Sequence, residues 1–473
     1  MIAGQGQEIR EAINRAIPPI EHSAAAFAAK RACVSCHHNF LPILLADVGR
    51  TRGVRFDPTV LEAVEARTFR PLRGPKALED ALQGTTLNDP TPNDSFLLMA
   101  AHAAGIEPDA VTTVYARRLV HWQRAGHWIT SDFRPPHSSS YFTATASAVR
   151  AIQEYAPEEH ECVARASQWL VRTKPASTED AAFRLMGLVW AGAAKNEIDS
   201  AGRDLLAMRD SSGAWPQLAG YPADAYSTGE SLFALHEAGV GYPDKALQFL
   251  ESTQASDGTW RVHTRMLSPA EVSPPYFTTG FPYEKDEYLS YAGSVWATMA
   301  LLAALPQVSE PRPFVKGVSV AVPELSVPEI KDTLKFAAMR GDIEAVRKFL
   351  ANGEEPSAEA LSQAVTFGYT DIVKALIDAG APAKVTERSG INLLHWAAIA
   401  NRPAVIPVLV KAGVPINAKD ENQYTPLMYA ATIDFGDRAV WNALIRAGAD
   451  PNERNADGRT ATEQAKIFLK SKH

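Results

Sequence analysis

The sequence predicts an all-α protein built from two different helical repeat regions. A repeat of about 33 residues fills the C-terminal third of the chain, and a longer repeat, close to 45 residues, recurs within the first 305 residues. In both regions apolar residues recur at helical spacing and do not follow the period of two that is typical of strands. We therefore expect helical hairpins in both regions.

Composition and charge limit the functions that the chain can have. Of 473 residues, 46% are hydrophobic and 21% charged, which is typical of a soluble globular protein with two or three domains. Residues 1–329 carry 29 basic and 37 acidic side chains (net −8), and residues 330–473 carry 18 and 17 (net +1). Neither part has the basic excess that phosphate backbones require, so we expect no nucleic-acid partner. The apolar run 295–305 stops at Pro306, so we expect no transmembrane segment.

A proline-rich segment separates the two regions. Prolines at 306, 311, 313, 323 and 328 block regular helix and favour an extended connector. The sequence therefore predicts a domain over residues 1–305, a linker over 306–329 and a repeat domain over 330–473.

The C-terminal repeats have regularly spaced turn glycines. Gly353, Gly380, Gly413 and Gly448 are 27, 33 and 35 residues apart. Residues 393–398 (LLHWAA), 425–431 (TPLMYAA) and 449–452 (ADPN) resemble the helix starts and the hairpin of ankyrin repeats. This resemblance implies four full repeats and a half repeat at 457–461, with a protein partner bound along the concave face. His395 lies in one of these helix starts, and we expect it to make a structural hydrogen bond.

The first 305 residues repeat a turn that ends in tryptophan. The turns end at Trp128, Trp215 and Trp260, with a degenerate copy near Lys174. Each turn follows one amphipathic helix and precedes another, which predicts about five or six helical hairpins that form an α/α toroid. The predicted helices that follow the turns or begin other hairpins cover residues 96–104, 143–155, 181–191, 226–238 and 292–305.

The turn that ends at Trp260 resembles the QW motif of squalene-hopene cyclases and related terpene cyclases. Residues 245–260 (KALQFLESTQASDGTW) carry this resemblance, and residues 281–301 are similar to the C-terminal helix of the same enzymes. In the motif glycine supplies the tight turn, and glutamine caps a helix and stacks on tryptophan. The resemblance implies the fold more than the activity.

The acid motif of these cyclases is incomplete in this chain. Class II cyclases protonate an alkene with Asp-x-Asp-Asp, whereas the equivalent residues 224–228 (DAYST) keep one carboxylate, Asp224. Asp224 is therefore a candidate catalytic acid. The alternative, which we favour, is that Asp224 caps the helix that follows it. We do not expect ordinary terpene cyclisation.

A C-x-x-C-H sequence near the N-terminus is typical of a c-type haem attachment site. Cys33 and Cys36 would bind the two vinyl groups, and His37 would be the axial ligand of the iron. An N-terminal CxxCHH followed by QW-type repeats is similar to uncharacterised exported squalene-cyclase-like proteins of bacteria. Three alternatives stay open: a disulfide or redox dithiol, a zinc site that includes His37 and His38, and two buried inert thiols.

If the toroid binds a ligand, aromatic side chains near its helix starts would line the cavity and suit an apolar or isoprenoid chain. The aromatic candidates are Trp128, Tyr226, Tyr276 and Phe277. Arg134 and Asp286 are polar candidates that would fix an anionic head group. The alternatives are core packing for each aromatic residue and solvated surface for each charged one.

Three functional hypotheses follow. The first is a haem c-bearing toroid that binds an apolar ligand or acts on it by redox chemistry, with ankyrin repeats that recruit a protein partner. The second is a scaffold without enzymatic activity in which CxxCH is structural, and the third is a terpene cyclase-like enzyme without the usual acid. Haem attachment predicts a periplasmic or otherwise exported protein if the chain is a mature form, whereas a native Met1 predicts a cytoplasmic one.

Overall fold

The computed structural model describes residues 3–31, 36–82, 90–131, 134–137, 139–266, 279–311, 333–387 and 389–470. Within these ranges the chain forms helices and no β-strands, so the predicted all-α class is confirmed. The chain divides into two compact units. The first contains residues 1–129, 140–264 and 274–327, and the second contains residues 130–139, 265–273 and 328–473. Most of the predicted linker lies outside the described residues.

The helices of the first unit have the following bounds: α1 (Ala3–Lys30), α2 (Leu41–Thr51), α3 (Pro58–Thr68), α4 (Ala77–Leu82), α5 (Pro90–Ala103), α6 (Ala110–Trp122), α7 (Tyr141–Tyr155), α8 (His160–Arg172), α9 (Thr178–Trp190), α10 (Lys195–Ala207), α11 (Ala225–Glu237), α12 (Asp244–Thr253) and α13 (Glu287–Ala303). A π-helical turn, Cys36–Phe40, leads into α2, and a 3₁₀ turn, Glu284–Asp286, leads into α13. In the described residues, no helix is both long and apolar enough to cross a membrane.

Six helices of the first unit contact one another in a closed cycle. In chain order α2, α5, α7, α9, α11 and α13 each contact the next, and α13 contacts α2. All 17 residues of α13 are buried, as expected for a helix covered on every side. The helices α6, α8, α10 and α12 each contact at least one helix of the cycle, and α8 is amphipathic, with a buried stripe at Cys162, Ala166, Trp169 and Leu170.

Three tryptophans fix the turns between these helices with the same pair of hydrogen bonds. The ring Nε1 of Trp128, Trp215 and Trp260 donates to the carbonyl of Leu119, Leu205 and Leu250 in the preceding helix, at 2.7–2.8 Å. Their backbone N–H groups donate to a hydroxyl of the following inner helix, from Thr145, Thr228 and Ser294. Each tryptophan therefore joins the two helices of its hairpin while it fills the core.

Two glutamines join neighbouring hairpins. Gln123 and Gln254 are the C-cap residues of α6 and α12, and their side chains donate to the carbonyls of Cys162 and Ala12 at 2.8 and 2.9 Å. Gln254 also accepts a hydrogen bond from Arg15 at 2.6 Å. The last tryptophan turn is thus bonded to α1, which joins the end of the first unit to its beginning.

The helices of the second unit are short and arranged in pairs. Their bounds are α14 (Leu334–Arg340), α15 (Ile343–Ala351), α16 (Ala358–Phe367), α17 (Thr370–Asp378), α18 (Leu393–Ile399), α19 (Ile406–Lys411), α20 (Pro426–Thr432), α21 (Ala439–Arg446) and α22 (Ala461–Lys470). The first helices of successive pairs contact one another from α14 to α22, which buries a continuous core. Thr425 caps α20 through its hydroxyl, and Pro426 begins that helix.

Candidate functional site

The predicted cofactor segment lies in the interior of the first unit. His37 and His38 belong to the π-helical turn before α2, and their side chains are 2% and 0% exposed. The His38 ring stacks between Phe27, with 4.8 Å between ring centroids, and Tyr291, at 3.8 Å. His37 meets Phe27 edge-on at 5.9 Å. The two imidazoles are therefore held in fixed orientations by aromatic rings from α1 and α13.

A chain of hydrogen bonds connects these histidines to α13. The Nδ1 atoms of His37 and His38 are bonded to each other, and His38 Nε2 lies 3.0 Å from the hydroxyl of Ser23. The Ser23 hydroxyl is 2.6 Å from that of Thr279, which donates to Glu287 Oε1. The Thr279 backbone N–H donates to the same carboxylate oxygen at 2.9 Å. We call these five residues the histidine relay.

Cys33 lies outside the described residues, and of Cys36 the structure describes the backbone alone. Within the described part of the chain, no group of three or more His, Cys, Asp or Glu side chains is arranged to hold a metal ion. Haem c, with Cys33, Cys36 and His37, and zinc as the alternative, therefore stay predictions. The histidine relay adds a feature that the motif alone does not contain.

Asp224 caps α11, as the favoured interpretation of the sequence expected. Its carboxylate accepts from the backbone N–H of Ser227 and from the side chain of Gln217, both at 2.8 Å. These contacts account for its place before the helix, and its catalytic role stays a prediction.

Two further carboxyl groups are buried in the first unit. Glu179 at the start of α9 and Glu230 in α11 are 2% and 0% exposed. Glu179 accepts from the hydroxyl of Thr143 at 2.6 Å and from that of Tyr226 at 2.7 Å. Burial, and after it the neighbouring Glu179, raises the pKa of Glu230 well above its ordinary value. Glu179 thus accepts hydrogen bonds from two hydroxyls, whereas burial and the neighbouring carboxyl group disfavour the charged form of Glu230. The sequence did not indicate this buried acid, because a glutamate in a helix is usually exposed.

The remaining predicted cavity residues have different surroundings. Trp128 is fully buried and bonded within its turn, and Tyr226 is buried with its hydroxyl on Glu179. Arg134 is half-buried in the segment 130–139 of the second unit. Tyr276 and Phe277 lie outside the described residues.

Asp286 is buried, so the alternative that it is a solvated surface residue is wrong. It is 1% exposed and accepts hydrogen bonds from the His263 ring and the Thr264 backbone N–H, both at 3.0 Å, and from Arg261. Burial alone would raise its pKa, but the bonds from His263, Thr264 and Arg261 together lower it below the ordinary value. These contacts connect residues 261–264 to the start of α13.

The second unit has a cleft beside the α20–α21 loop. The cleft has a volume of about 290 Å³, at the lower end of the range for small-molecule sites, and therefore suits one or two side chains better than a cofactor. The half-buried rings of Phe435 and Trp441 line it, together with Asp434, Asp437 and Arg438. The Arg438 guanidinium lies 5.3 Å from the centre of the Trp441 ring. An aromatic surface beside exposed charges is typical of a protein-binding site.

Comparison with known families identifies this second unit. Residues 334–420 and 361–455 match the family model described as ankyrin repeats (3 copies). The C-terminal region carries ankyrin repeats. Because ankyrin repeats bind proteins, the match supports a role in protein–protein interaction. The predicted ankyrin repeats are confirmed, whereas their number, their concave binding face and the toroid of the first unit stay predictions.

The curated relatives share only part of their length with this chain. A putative ankyrin repeat-containing protein of Treponema pallidum is 37% identical over 20% of this chain and 31% of its own length. The putative palmitoyltransferase ZDHHC13 of Danio rerio is 32% identical over 24% of this chain and 18% of its own. A glycerophosphocholine phosphodiesterase of Schizosaccharomyces pombe is 35% identical over 21% of this chain and 9% of its own length. The chain thus spans less than a third of each of these relatives.

Within the ankyrin array His395 has a structural role, as expected. Its Nδ1 lies 2.9 Å from Asn392 Oδ1 and 3.1 Å from the Asn392 backbone N, and its Nε2 lies 3.1 Å from the Tyr424 carbonyl. Burial lowers the pKa of His395, although the Tyr424 carbonyl opposes this effect. The side chain therefore joins α18 to the segment that leads into α20.

Proposed function

We propose that this protein recruits a protein partner through its ankyrin array, with the cleft beside the α20–α21 loop as the anchoring site. The observation that carries the proposal is the juxtaposition of Phe435, Trp441 and Arg438 at a cleft of side-chain size. Aromatic residues and arginine are the side chains that most often dominate the binding energy of an interface.

Photo-cross-linking tests this proposal. A photoreactive amino acid replaces Asp437, an exposed residue that lines the cleft, in one variant of the full chain and Arg347 in another, because Arg347 is exposed on α15, away from the cleft residues in the sequence. Both variants are irradiated in cells of the native source. We expect one polypeptide, identified by mass spectrometry, to be cross-linked from position 437 and not from position 347. Equal cross-linking from both positions, or none from position 437, would refute the proposal.

As a second candidate function, we propose that the first unit carries haem c, with Cys33 and Cys36 as attachment residues and His37 as the axial ligand. The histidine relay supports this proposal, because axial histidines bind iron through one nitrogen while the other is held by a hydrogen bond. When bound, the haem would supply one-electron redox chemistry. The proposal includes export of the protein, since haem is attached outside the cytoplasm.

The haem proposal is tested by the mass and absorption spectrum of the full chain exported from a host with cytochrome c maturation. Wild type is compared with the Cys33→Ala/Cys36→Ala variant. We expect a mass increase of one haem and a Soret band in the wild type alone. A colourless, unmodified wild type would refute the haem proposal and favour the scaffold hypothesis. An apolar ligand for the first unit is a further proposal. It is supported by the buried Glu230, whose pKa burial raises well above its ordinary value.

A further inference from the structure

We infer that the first unit binds a long-chain carboxylate in a groove beside α2 and α3. The groove consists of two adjoining cavities of about 610 and 320 Å³, each within the size range of small-molecule sites. We call it the α2–α3 groove. None of its described lining residues belongs to the histidine relay, to the pair Glu179 and Glu230, or to the ankyrin array. The inference therefore does not depend on the functions proposed above.

The larger cavity has a mainly apolar lining. Its apolar side chains come from α2, from the loop that follows α2, from α3 and from the segment after α13, and include those of Ile43, Ala46, Val54, Phe56, Leu61 and Val308. Except for the buried Ile43, these side chains are half-buried or exposed, so water contacts them when no ligand is bound. Because each methylene that leaves water stabilises the bound state, this cavity suits an alkyl chain.

Val308 is an exposed apolar residue that is fixed at the edge of this cavity. Its side chain is 63% exposed, although its backbone N–H donates to the Thr51 carbonyl at 2.8 Å. The next residue, Ser309, donates through its hydroxyl to the Arg50 carbonyl at 3.3 Å. Gly53 permits this approach, since a Cβ there would lie only 3.3 Å from Cγ2 of Val308. An apolar side chain that is already held in place loses little entropy when a ligand covers it.

The smaller cavity provides donors for an anionic head group. Arg10 and Asn14 of α1 line it together with Arg55. Residues 53–55 line both cavities, so these donors adjoin the apolar part of the groove. Among the residues that the structure describes, neither Arg10 nor Arg55 forms a hydrogen bond or an ion pair. A guanidinium matches a carboxylate with two parallel hydrogen bonds, so the two arginines suit this head group.

The charges of the groove favour a ligand with a single negative charge. The charged side chains that line the two cavities are the cations Arg10, Arg50 and Arg55 and the carboxylates Asp47 and Glu65, which leaves a net charge of +1. Asp47 and Arg50 form an ion pair at 2.8 Å. A carboxylate matches the remaining charge, whereas a phosphate monoester carries nearly two negative charges and a cationic amphiphile meets the arginines. We therefore assign the head group as a carboxylate.

The first test is isothermal titration calorimetry of the full chain with octanoate, decanoate and dodecanoate below their micelle concentrations. We expect the affinity to rise about fourfold for each added methylene, as for burial of the chain in the larger cavity. Dodecyl phosphate and dodecyltrimethylammonium should bind at least tenfold more weakly than dodecanoate. Tighter binding of dodecyl phosphate, or equal binding of the cationic amphiphile, would overturn the assignment of the head group.

The second test separates the head group from the chain. We expect Arg10→Gln/Arg55→Gln to weaken dodecanoate binding by about tenfold to 100-fold and to change dodecanol binding by less than about twofold. Arg203→Gln is the matched control, because Arg203 is an exposed residue of α10 that lines neither cavity. It should leave the affinity for both probes unchanged.

The third test fills the larger cavity. Ala46 is half-buried on α2, and Ala46→Trp should weaken binding of both dodecanoate and dodecanol by at least tenfold. Its control is Ala66→Trp, because Ala66 is an exposed residue of α3 that lines neither cavity. Far-UV circular dichroism verifies that each variant is folded.

Three results would overturn the inference. The first is a folded wild type that binds no dodecanoate, and the second is unchanged dodecanoate affinity in folded Ala46→Trp, which would locate the chain outside this groove. The third is unchanged dodecanoate affinity in folded Arg10→Gln/Arg55→Gln, which would remove the arginines from the site. Loss of affinity in both variants, with no change in Arg203→Gln and Ala66→Trp, is the result that we expect.

Discussion

Replacement of Gly258 by alanine tests whether the last tryptophan turn joins the end of the first unit to α1. Gly258 is buried at φ +89°, and a Cβ at this position would lie 2.0 Å from the Arg15 carbonyl oxygen and 2.5 Å from its carbon. Normal contacts between carbon and oxygen are about 3.3 Å or longer, so α1 would have to shift by about 1 Å. Alanine in the left-handed region costs about 1–2 kcal/mol, and overpacking adds about 1–3 kcal/mol.

We therefore expect Gly258→Ala to lower the free energy of unfolding of the first unit by about 2–5 kcal/mol. Gly220→Ala is the matched control, because Gly220 has a similar φ of +85° and no atom within 4 Å of its Cβ position. It should lower the free energy of unfolding only by the cost of alanine in the left-handed backbone conformation, about 1–2 kcal/mol. The assay is urea unfolding followed by tryptophan fluorescence, with hydrogen exchange of peptides from α1 as the local measurement. If Gly258→Ala costs no more than Gly220→Ala, or leaves exchange in α1 unchanged, the turn does not support α1.

Three further predictions concern single buried side chains. Trp260→Phe removes the bond from Nε1 to the Leu250 carbonyl and should cost about 1–3 kcal/mol in urea unfolding, whereas Trp396→Phe, whose Nε1 bonds to the exposed Glu387 side chain, should cost less. Because the pKa of Glu230 is raised, the folded state keeps a proton that the unfolded state loses, so stability falls as pH rises above about 4.5. Glu230→Gln should flatten this dependence, so its free energy of unfolding relative to wild type should be higher at pH 8 than at pH 5. The pKa of His395 is lowered, so the unfolded state binds the proton first, and the thermal stability of the ankyrin array should fall as pH drops below about 6.5 in wild type but less in His395→Gln. A Glu230→Gln profile parallel to wild type, or an equal acid response in His395→Gln, would contradict the corresponding assignment.

Local patterns predicted the helices well and their starts less well. Helices predicted over 143–155 and 181–191 begin at Tyr141 and Thr178, because Ser140 and Ser177 cap them through their hydroxyls. The helix predicted from residue 96 begins at Pro90, which is favoured at a first helical position. These differences depend on the side chains at the helix starts, which the periodicity of apolar residues does not reveal.

The interior chemistry was less predictable than the helices. Ser23 and Thr279 meet although 256 residues separate them, and no local pattern connects them. Glu179 and Glu230 come from different hairpins, and their burial depends on the closed cycle of helices. By contrast, the turn at Trp260, the cap at Asp224 and the ankyrin helix starts depend on residues near one another in sequence, which is why the sequence alone indicated them.

The affinity of the cross-linked partner for purified variants tests the proposed function most directly. We expect Trp441→Ala in the full chain to weaken binding by about 30-fold, as for a side chain that contributes about 2 kcal/mol at an interface. Arg347→Ala, which removes an exposed side chain of α15 paired with Glu344, should change the affinity by less than about twofold. Unchanged binding by a folded Trp441→Ala protein would contradict the claim that this cleft anchors the partner.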